Sequence, residues 1–228
     1  MLVRITPKPY YRREGICIYH GNCDTIVPYL RGIGAVFTDP PYGINVNVRD
    51  KSFAPSSYGS LSTAYPKILG DDQPFDPRWI TGMSLPTCLW GANYYAYRLP
   101  PSGAWLVWDK RKPMWNSQSQ CELAWTNFSR GTRIFSHLWH GCNRDSEAHE
   151  YYHPAQKPVK LWAWVLSNKW LHYDGIVLDP YTGSGSLLLA CIHARRPAIG
   201  IELSEAYCKV AAARCELEFK ERHSFTSQ

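Results

Sequence analysis

The segment from residue 175 to residue 202 has the pattern of a parallel α/β unit, and it constrains the fold more than any other stretch. Its parts are a buried strand, a glycine-rich turn, an apolar helix and a second strand, at 175–179, 180–186, 187–194 and 198–201. A strand and helix followed by another strand build parallel sheets with helices on both faces. The segment therefore predicts an α/β fold.

The glycine-rich turn in this segment has the composition of a ligand-binding loop. Gly183 and Gly185 permit a tight turn and a close approach of the backbone to a ligand. The helix that follows offers free N–H groups to an electron-rich ligand. Glu202 ends the next strand, about 20 positions beyond the loop, where an acid can bond a ribose diol.

A second motif, Asp39-Pro40-Pro41-Tyr42, follows the apolar run over 34–38, which reads as a short buried strand. Each proline fixes its own φ and lacks an N–H, so the chain after the strand is stiff. The Asp39 carboxylate and the proline carbonyls are acceptors, and Tyr42 offers an aromatic face. Such a pocket suits a planar group that bears an amine, such as a nucleobase. The alternative is an ordinary proline turn.

Composition sets the broad class of the protein. A chain of 228 residues is predicted to form a single domain, 1–228, with a sizeable core. The net charge of +6 is compatible with a polyanionic partner. The 10 Trp and 15 Tyr residues supply core volume and stacking surfaces. The 8 cysteines contain no C-x-x-C pair and indicate reduced intracellular thiols.

Two ionic features close the list of candidate sites. Lys157 lies at a helix start, where the helix dipole disfavours a cation, so it suggests a bound anionic group such as a carboxylate; the alternative is a solvated lysine. A loose group of histidines and one cysteine has no good zinc spacing, and no metal is predicted; its members are His137, His140, Cys142, His149 and His153. No signal peptide or membrane span is expected, and a cytoplasmic location is predicted, in a bacterial cell or a phage-infected host.

The remaining pattern predicts further elements and two irregular segments. Strands are expected at 15–20, 103–108, 121–128 and 133–139, and helices at 25–30, 81–97, 159–170 and 204–220. The irregular segment 43–79 and the variable middle 110–152 are expected to form target-contacting loops or a small recognition region, because long loops in compact domains are usually functional or disordered. The candidate nucleic-acid contacts, besides Tyr42, are Arg111, Lys112, Arg130, Arg133 and Arg144. The strand end at residues 109–112 reads equally well as a solvated turn.

Four motifs in order resemble the amino-methylating DNA methyltransferases that use S-adenosylmethionine. Asp39-Pro-Pro-Tyr42 is similar to their catalytic motif, and Asp179-Pro-Tyr-Thr-Gly-Ser-Gly185 to their D-P-F-x-G-S-G cofactor loop. His153-Pro-Ala-Gln-Lys-Pro158 resembles their H-P-T-Q-K-P segment, and Gly200-Ile-Glu202 with Tyr207 resembles their G-I-E…Y. The catalytic motif precedes the cofactor loop, as in the circularly permuted beta group. The resemblance covers 16–42 and 153–215 well and the middle poorly.

The resemblance implies a Rossmann-like, seven-stranded and mostly parallel sheet in the permuted methyltransferase order. It also implies roles at matching positions. Asp39 and the Pro40 carbonyl would accept hydrogen bonds from the target amine, within the catalytic set Asp39, Pro40, Pro41 and Tyr42, while Tyr42 stacks on the flipped base. The implied contacts of S-adenosylmethionine are Asn22, Cys23, Asp39, Lys157, Asp179, Pro180, Tyr181, Gly183, Ser184, Gly185 and Glu202. Asn22 stands where the family usually has Asp.

The sequence therefore predicts a site-specific DNA methyltransferase acting on the N6 amine of adenine, because D-P-P-Y accompanies that base most often in the resembling family. Three alternatives remain: an N4-cytosine DNA methyltransferase, a methyltransferase for RNA or protein amides, and a non-catalytic nucleic-acid-binding relative. The expected partner is DNA, and a homodimer is possible. The sequence does not fix the recognition site.

Overall fold

The computed structural model describes residues 7–45, 68–112, 119–140, 143–148 and 150–226. Within them the strands are β1 (Tyr11–Arg13), β2 (Ile16–His20), β3 (Ile33–Thr38), β4 (Thr87–Trp90), β5 (Trp105–Asp109), β6 (Cys121–Thr126), β7 (Arg133–Ser136), β8 (Trp139–His140), β9 (Asn143–Arg144), β10 (Ile176–Asp179) and β11 (Ala198–Glu202). The helices are α1 (Cys23–Ile26), α2 (Arg78–Thr81), α3 (Val159–Leu166), α4 (Ser186–His193) and α5 (Glu205–Thr226).

One large sheet holds nine of these strands in the order β1-β2-β11-β10-β3-β4-β6-β5-β7. Seven of the nine described strands run in one direction, and only β1 and β6 oppose them. The predicted fold class, a mostly parallel α/β sheet of the methyltransferase type, is confirmed. The described sheet is wider than the seven strands expected, because β1 extends one edge and β7 extends the other.

The sheet order brings the two ends of the chain together. The late strands β10 and β11 lie between the early strands β3 and β2, as the permuted order implies. All four are parallel, with Leu178 opposite Val36 and Gly200 opposite both Asp179 and Ile18. Their carboxyl ends meet at one edge, which is where parallel α/β sheets bind ligands. Asp39, Asp179 and Glu202 therefore converge at that edge.

Helices cover both faces of the sheet. On one face α3, α4 and α5 pack against the strands through Leu161, Leu188 and Ala211, among others. On the other face lie α1 and α2. The side chains of β3 alternate between the cores on the two faces of the sheet. Val36 packs into the core on the side of α1 and α2, and Phe37 packs into the core on the side of α3, α4 and α5. Each such side chain, fully buried, contributes about 1.5–3 kcal/mol. This two-sided burial explains the continuous apolar runs of the central strands.

One predicted element is wrong. The stretch 81–97 is not a helix: α2 ends at Thr81, β4 pairs in parallel with β3, and two short 3-10 turns follow at Ala92–Tyr94 and Ala96–Arg98. All four residues of β4 are buried, which an apolar run permits in a central strand as readily as in a helix. Gly91 ends the strand with a left-handed φ of 67°.

Other boundaries differ by a few residues. The helix predicted at 25–30 is the short α1 and a 3-10 turn at Val27–Tyr29, and α3 ends at Leu166 rather than at residue 170. The strand predicted over 133–139 is divided into β7 and β8. Parts of the two predicted target loops, 46–67, 113–118, 141–142 and 149, lie outside the described residues. Among the helices that are described, none combines the length and apolarity that a membrane crossing needs.

Candidate active site

A cavity of about 440 Å³ opens at the carboxyl edge of the sheet. The proline motif after β3 and the glycine-rich loop after β10 both line it. Ligand pockets for small molecules span roughly 300–1,000 Å³. The first consequence of the fold is therefore that the two sequence motifs, more than 100 positions apart, share one pocket of suitable size.

Asp39 and Tyr42 form a compact acidic and aromatic pair within this cavity. The Tyr42 hydroxyl donates a short hydrogen bond to Oδ1 of Asp39. The ring of Tyr42 stacks on Tyr94, with 4.9 Å between centroids and 15° between planes. A Cβ at Gly91 would lie 1.9 Å from the Tyr42 ring. Gly91 therefore makes room for the ring, and Tyr94 supports it.

Lys157 reaches the same pair from the loop before α3. Its ammonium donates to Oδ2 of Asp39 at 2.5 Å and to the Tyr42 hydroxyl at 3.1 Å. The Lys157 side chain is only 5% exposed. The sequence places this lysine on the carboxylate of a ligand, whereas in the structure it is held by the carboxylate of Asp39. Its contact with the cofactor stays a prediction.

Glu122 completes the cluster, and sequence reasoning missed it. Its Oε2 lies 3.0 Å from the Lys157 ammonium and 3.4 Å from the Tyr42 hydroxyl, and its Oε1 accepts a short bond from Lys110. It stands on β6, which is antiparallel to β4 and brings the side chain in from the middle of the chain. The sequence feature that could have pointed to Glu122 is its position as the one acidic residue in the strand Cys121-Glu-Leu-Ala-Trp-Thr126.

The charges in this cluster determine its protonation. Burial raises the pKa of Asp39, the Lys157 cation opposes that rise, and the charge of Glu122 adds to it. Burial also acts to raise the pKa of Glu122, but the cations of Lys157 and Lys110 hold it at about 2. Burial acts to lower the pKa of Lys157, and the two carboxylates raise it instead. Glu122 and Lys157 are thus both charged at neutral pH.

The glycine-rich loop is held by the ends of β10 and β11. Gly183 and Gly185 have positive φ values of 51° and 82°. The Gly183 N–H donates to Oε2 of Glu202 at 2.9 Å, while the N–H of Ser204 donates to its Oε1 at 2.8 Å. Each carboxylate oxygen keeps a second acceptor position. Glu202 can therefore accept hydroxyl groups of a ligand while it holds the loop.

Asp179 lines the cavity at the start of the glycine-rich loop and is buried there. Its Oδ1 accepts from the Thr38 hydroxyl at 2.6 Å and from the Tyr181 N–H at 3.3 Å. Burial raises its pKa to about 7, and these hydrogen bonds oppose part of that rise. The bond to Thr38 links the cofactor loop directly to the strand that carries Asp39. Asp179 thus connects the two halves of the site.

Arg214 of α5 supports the glycine-rich loop. This residue was not identified from the sequence either. Its guanidinium donates to the Ser184 carbonyl at 2.9 Å and to the Ser186 hydroxyl at 3.2 Å. It also donates to Oε1 of Glu147 at 3.0 Å. Oε2 of Glu147 accepts the Val159 N–H at the start of α3, at 2.8 Å. This pair connects the glycine-rich loop to the helix start that follows Lys157.

The remaining predicted cofactor residues lie around the same opening. The Asn22 side chain accepts the Asp24 N–H at 2.8 Å as the cap of α1, and Cys23 is buried beside it. Tyr181 meets Phe75 edge to face, with 5.6 Å between ring centroids. These five residues and Pro180 line the cavity. Acceptors at one wall and aromatic rings at another fit a ligand that carries a ribose and a flat base.

The predicted nucleic-acid contacts do not share one surface. Arg111 follows β5 at the carboxyl edge, where it pairs with Asp145 at 3.0 Å. Arg144 lies over the rings of Trp139 and Tyr151, at 3.9 and 4.4 Å. Lys112 also follows β5, and burial lowers its pKa to about 8.

The other two basic residues lie elsewhere. Arg133 begins β7, opposite Leu106 of the parallel β5, and Arg130 lies in the turn just before it. Because the strands are parallel, both stand at the amino edge of the sheet, away from Asp39. The predicted histidine group is incomplete, since Cys142 and His149 lie outside the described residues. Among the described residues no group suited to a metal ion is found.

Comparison with known proteins identifies the family that this site resembles. Residues 104–213 match the profile of the DNA methylase family that comprises N6 and N4 amino-methyltransferases. The resemblance to DNA amino-methyltransferases is confirmed. The chain is 39% identical over 85 residues to the type II methyltransferase M.HpaI of Haemophilus parainfluenzae, a match that covers 37% of this chain and 25% of that protein. It is 41% identical over 63 residues to the putative methylase YubD of Escherichia coli (strain K12), covering 28% of this chain and 27% of that protein.

Solved structures of other proteins share the fold of this chain. The crystal structure of the M1.HpyAVI–SAM complex matches with a TM-score of 0.53 and 21% identity, covering 87% of this chain and 99% of that one. The PvuII DNA methyltransferase, described as cytosine-N4-specific, matches with a TM-score of 0.60 and 14% identity, covering 90% and 88%. The chain matches only about a quarter of the length of the curated relatives.

Proposed function

We propose that this chain is a DNA methyltransferase that moves a methyl group from S-adenosylmethionine to the exocyclic N6 amine of a flipped-out adenine. The observation that carries the proposal is that Asp39-Pro-Pro-Tyr42 and the loop over 180–186 line one cavity. The cavity thus offers acceptors for an amine next to a loop suited to a nucleoside. Methyl transfer needs these two groups side by side.

The chemistry of the target amine explains the acceptors. The lone pair of an exocyclic amine is delocalised into the ring, which makes the amine a poor nucleophile. Hydrogen bonds from its N–H groups to Asp39 and to the Pro40 carbonyl favour a tetrahedral nitrogen and free the lone pair. The nitrogen becomes cationic as it gains the methyl group, and a preorganised carboxylate stabilises that charge. Asp39 can then accept the proton that leaves.

The aromatic ring of Tyr42 suits the extruded base. A base must leave the duplex to reach a cavity of this kind, which costs a few kcal/mol. Stacking returns about 1–3 kcal/mol per base. Tyr94 and Gly91 hold the Tyr42 ring in place before any base arrives. The ring is therefore preorganised for stacking.

The remaining groups fit the methyl donor. S-adenosylmethionine supplies an activated methyl group on a sulfonium. In the proposal Glu202 holds its ribose, and the loop at Gly183, Ser184 and Gly185 surrounds its methionine part. Asn22 and Cys23 lie near its adenine. The protein mainly orients the two reactants, and such orientation accounts for a large part of the rate.

Adenine is proposed as the target base because the motif begins with Asp, as is most common for N6-adenine enzymes of the resembling family. DNA is the proposed polymer, bound at the carboxyl edge near Arg111, Lys112 and Arg144. Because the comparisons include type II methyltransferases of bacteria, a cytoplasmic location is proposed as well. The possible homodimer stays a prediction.

The test is transfer of labelled methyl from S-adenosylmethionine to unmethylated DNA, followed by nucleoside digestion and mass spectrometry. Asp39→Asn should abolish transfer while it retains cofactor binding. Asp174→Asn changes an exposed Asp at the opposite edge of the sheet and should leave transfer unchanged. A 4-methylcytosine product would correct the base. Cofactor binding without any methylated nucleoside would contradict the proposal.

A further inference from the structure

Glu122 is an unusual acid next to the residues that line the cavity, because its carboxylate contacts two lysine ammonium groups. Its carboxylate lies between Lys110 and Lys157, and all three side chains are largely buried, with 18%, 12% and 5% exposed. Lys157 is in turn shared between Glu122 and Asp39, at 3.0 and 2.5 Å. The result is a continuous row of alternating charges that ends at the catalytic motif.

Such a row is not what fold stability requires. Burying charges costs several kcal/mol per ion, and well-packed apolar residues of similar volume often stabilise a fold as well or better. Ala124 and Trp125 of β6 are apolar and buried, so the strand accommodates uncharged side chains. The placement of Glu122 therefore points to a task at the site rather than in the core.

We propose that Glu122 is a positioning residue of the target pocket, which holds Lys157 between Asp39 and Tyr42 and so fixes the carboxylate that receives the target amine. The inference deepens the proposed function and rests on it. Glu122 itself does not touch the base: it acts through Lys157. With Glu122 in place the lysine divides its charge between two carboxylates, and Asp39 keeps more of its capacity as an acceptor.

The groups that face Asp39 define what removal of Glu122 should do. They are Lys157 from the loop before α3, Tyr42 of its own motif, Glu122 from β6, Asp179 from β10, Cys88 from β4 and Tyr95 from the turn after β4. Glu122→Gln keeps the size of the side chain and one acceptor oxygen, but it replaces the carboxylate with an amide and so removes one negative charge. The Lys157 cation then acts on Asp39 alone, so Asp39 binds its proton less tightly.

The first test is the pH profile of kcat for methyl transfer. Since Asp39 must be ionised to accept the amine, activity rises with pH through its pKa. In Glu122→Gln this acid limb should move to lower pH, and kcat at the optimum should fall by about 10²-fold, the size of a loss of positioning. The KM for S-adenosylmethionine should change less than about twofold, because the cofactor loop is untouched. An unmoved acid limb, or equal losses in kcat and cofactor binding, would overturn the inference.

A shorter acidic side chain at position 122 separates the effect of the charge from the effect of side-chain length. Glu122→Asp restores the negative charge but is shorter, so its acid limb should lie with that of the wild type while kcat stays reduced. Glu216→Gln is the matched control, because Glu216 is also an ion-paired acid, with Arg13 as its partner, but lies on α5, away from the cavity. It should change neither quantity.

A second measurement does not depend on turnover. The carboxyl carbon of Asp39 is titrated by ¹³C NMR, with its signal assigned from Asp39→Asn. Glu122→Gln should lower the titration midpoint, and no change would overturn the inference. If the wild type transfers no methyl group, the proposed function fails while this titration still decides the role of Glu122. If Glu122→Gln does not fold, Lys110→Gln replaces it and should raise the midpoint; an unchanged midpoint again overturns the inference.

Discussion

The ammonium of Lys157 lies 2.5 Å from Oδ2 of Asp39, although 118 positions separate the two residues in the chain. Lys157 stands in the segment that resembles H-P-T-Q-K-P, and Asp39 opens the motif Asp39-Pro-Pro-Tyr42. The contact makes these two motifs one electrostatic unit. It also joins Glu122 to that unit at 3.0 Å.

Removal of the lysine charge should destabilise the fold strongly. Lys157→Met leaves Asp39 and Glu122 buried without the cation that lies between them, and breaking a buried pair in this way costs about 3–5 kcal/mol. Urea denaturation at pH 7 measures the loss. Lys209→Met, which replaces an exposed lysine on α5, should cost far less. A similar cost for both variants would contradict the importance of the buried pair.

Asp179 should make stability fall as the pH rises. Its folded pKa of about 7 lies above the ordinary aspartate value of 3.8, so the folded state binds the proton more tightly than the unfolded state. The stabilising contribution is present below about pH 4 and is lost as the pH rises through about 7.

Asp179→Asn keeps an acceptor for Thr38 and Tyr181 but cannot ionise. The free energy of unfolding of this variant should therefore change less between pH 5 and pH 8 than that of the wild type, by at most a few kcal/mol. Denaturation at the two pH values checks this. Asp174→Asn should follow the wild type, and an equal pH dependence in Asp179→Asn would refute the assignment.

Glu122 should give the opposite dependence. Its folded pKa of about 2 lies below the ordinary glutamate value of 4.5, because the Lys157 and Lys110 cations outweigh the effect of burial. The stabilising contribution is therefore present above about pH 4.5 and is lost as the pH falls toward 2. At pH 7 the free energy of unfolding of Glu122→Gln should be lower than that of the wild type. As the pH falls, this free energy should decline less steeply in the variant. Parallel curves for the variant and the wild type would argue against a paired Glu122.

Gly91→Ala should damage target binding and spare cofactor binding. The new Cβ would lie 1.9 Å from the Tyr42 ring, at a φ of 67° that an L side chain rarely adopts. The ring must move, and its stacking on the base is lost. Transfer should fall by about 10²-fold, as expected for a misplaced group.

Calorimetry with S-adenosylhomocysteine should give an unchanged affinity for that variant. Gly103→Ala is the control, since its Cβ would meet nothing within 4 Å. Equal losses of transfer and affinity would show that Gly91 matters for the fold rather than for Tyr42.

Arg214→Met should act on the cofactor side. It removes the bonds to the Ser184 carbonyl and the Ser186 hydroxyl and leaves Glu147 without its buried cation. We expect S-adenosylhomocysteine to bind at least about tenfold more weakly, equivalent to roughly 1.4 kcal/mol. Arg31→Met, in the exposed turn before β3, should leave the affinity unchanged. Normal affinity in Arg214→Met would mean that the loop holds its shape without α5.

The sequence was most informative where local pattern and chemistry coincide. The strand, loop and helix over 175–194 could be predicted because the glycines and the apolar periodicity point to the same structure. The burial of β4 misled the prediction of a helix over 81–97, since an apolar run of four residues has no period of its own. Pairing with β3 decides its conformation.

The missed site residues share a physical cause. Glu122 and Arg214 lie in regular elements with no motif around them, and their importance comes from contacts with residues far away in the chain. Arg214 reaches Ser184 across 30 positions, and Lys157 approaches Glu122 from another layer of the structure. Local sequence carries no record of such contacts. The contacts of Glu122 and Arg214 become visible only in the three-dimensional structure.

The bond between Thr38 and Asp179 spans 141 positions, and it has a consequence for how the protein acquires activity. Contacts between distant segments form slowly, because a long loop must close before they stabilise the chain. A folding intermediate with only the early strands, or only the late ones, has half a pocket. The rate at which cofactor affinity returns during refolding should therefore report the docking of β10 against β3. We expect this docking to be slower than the formation of α5.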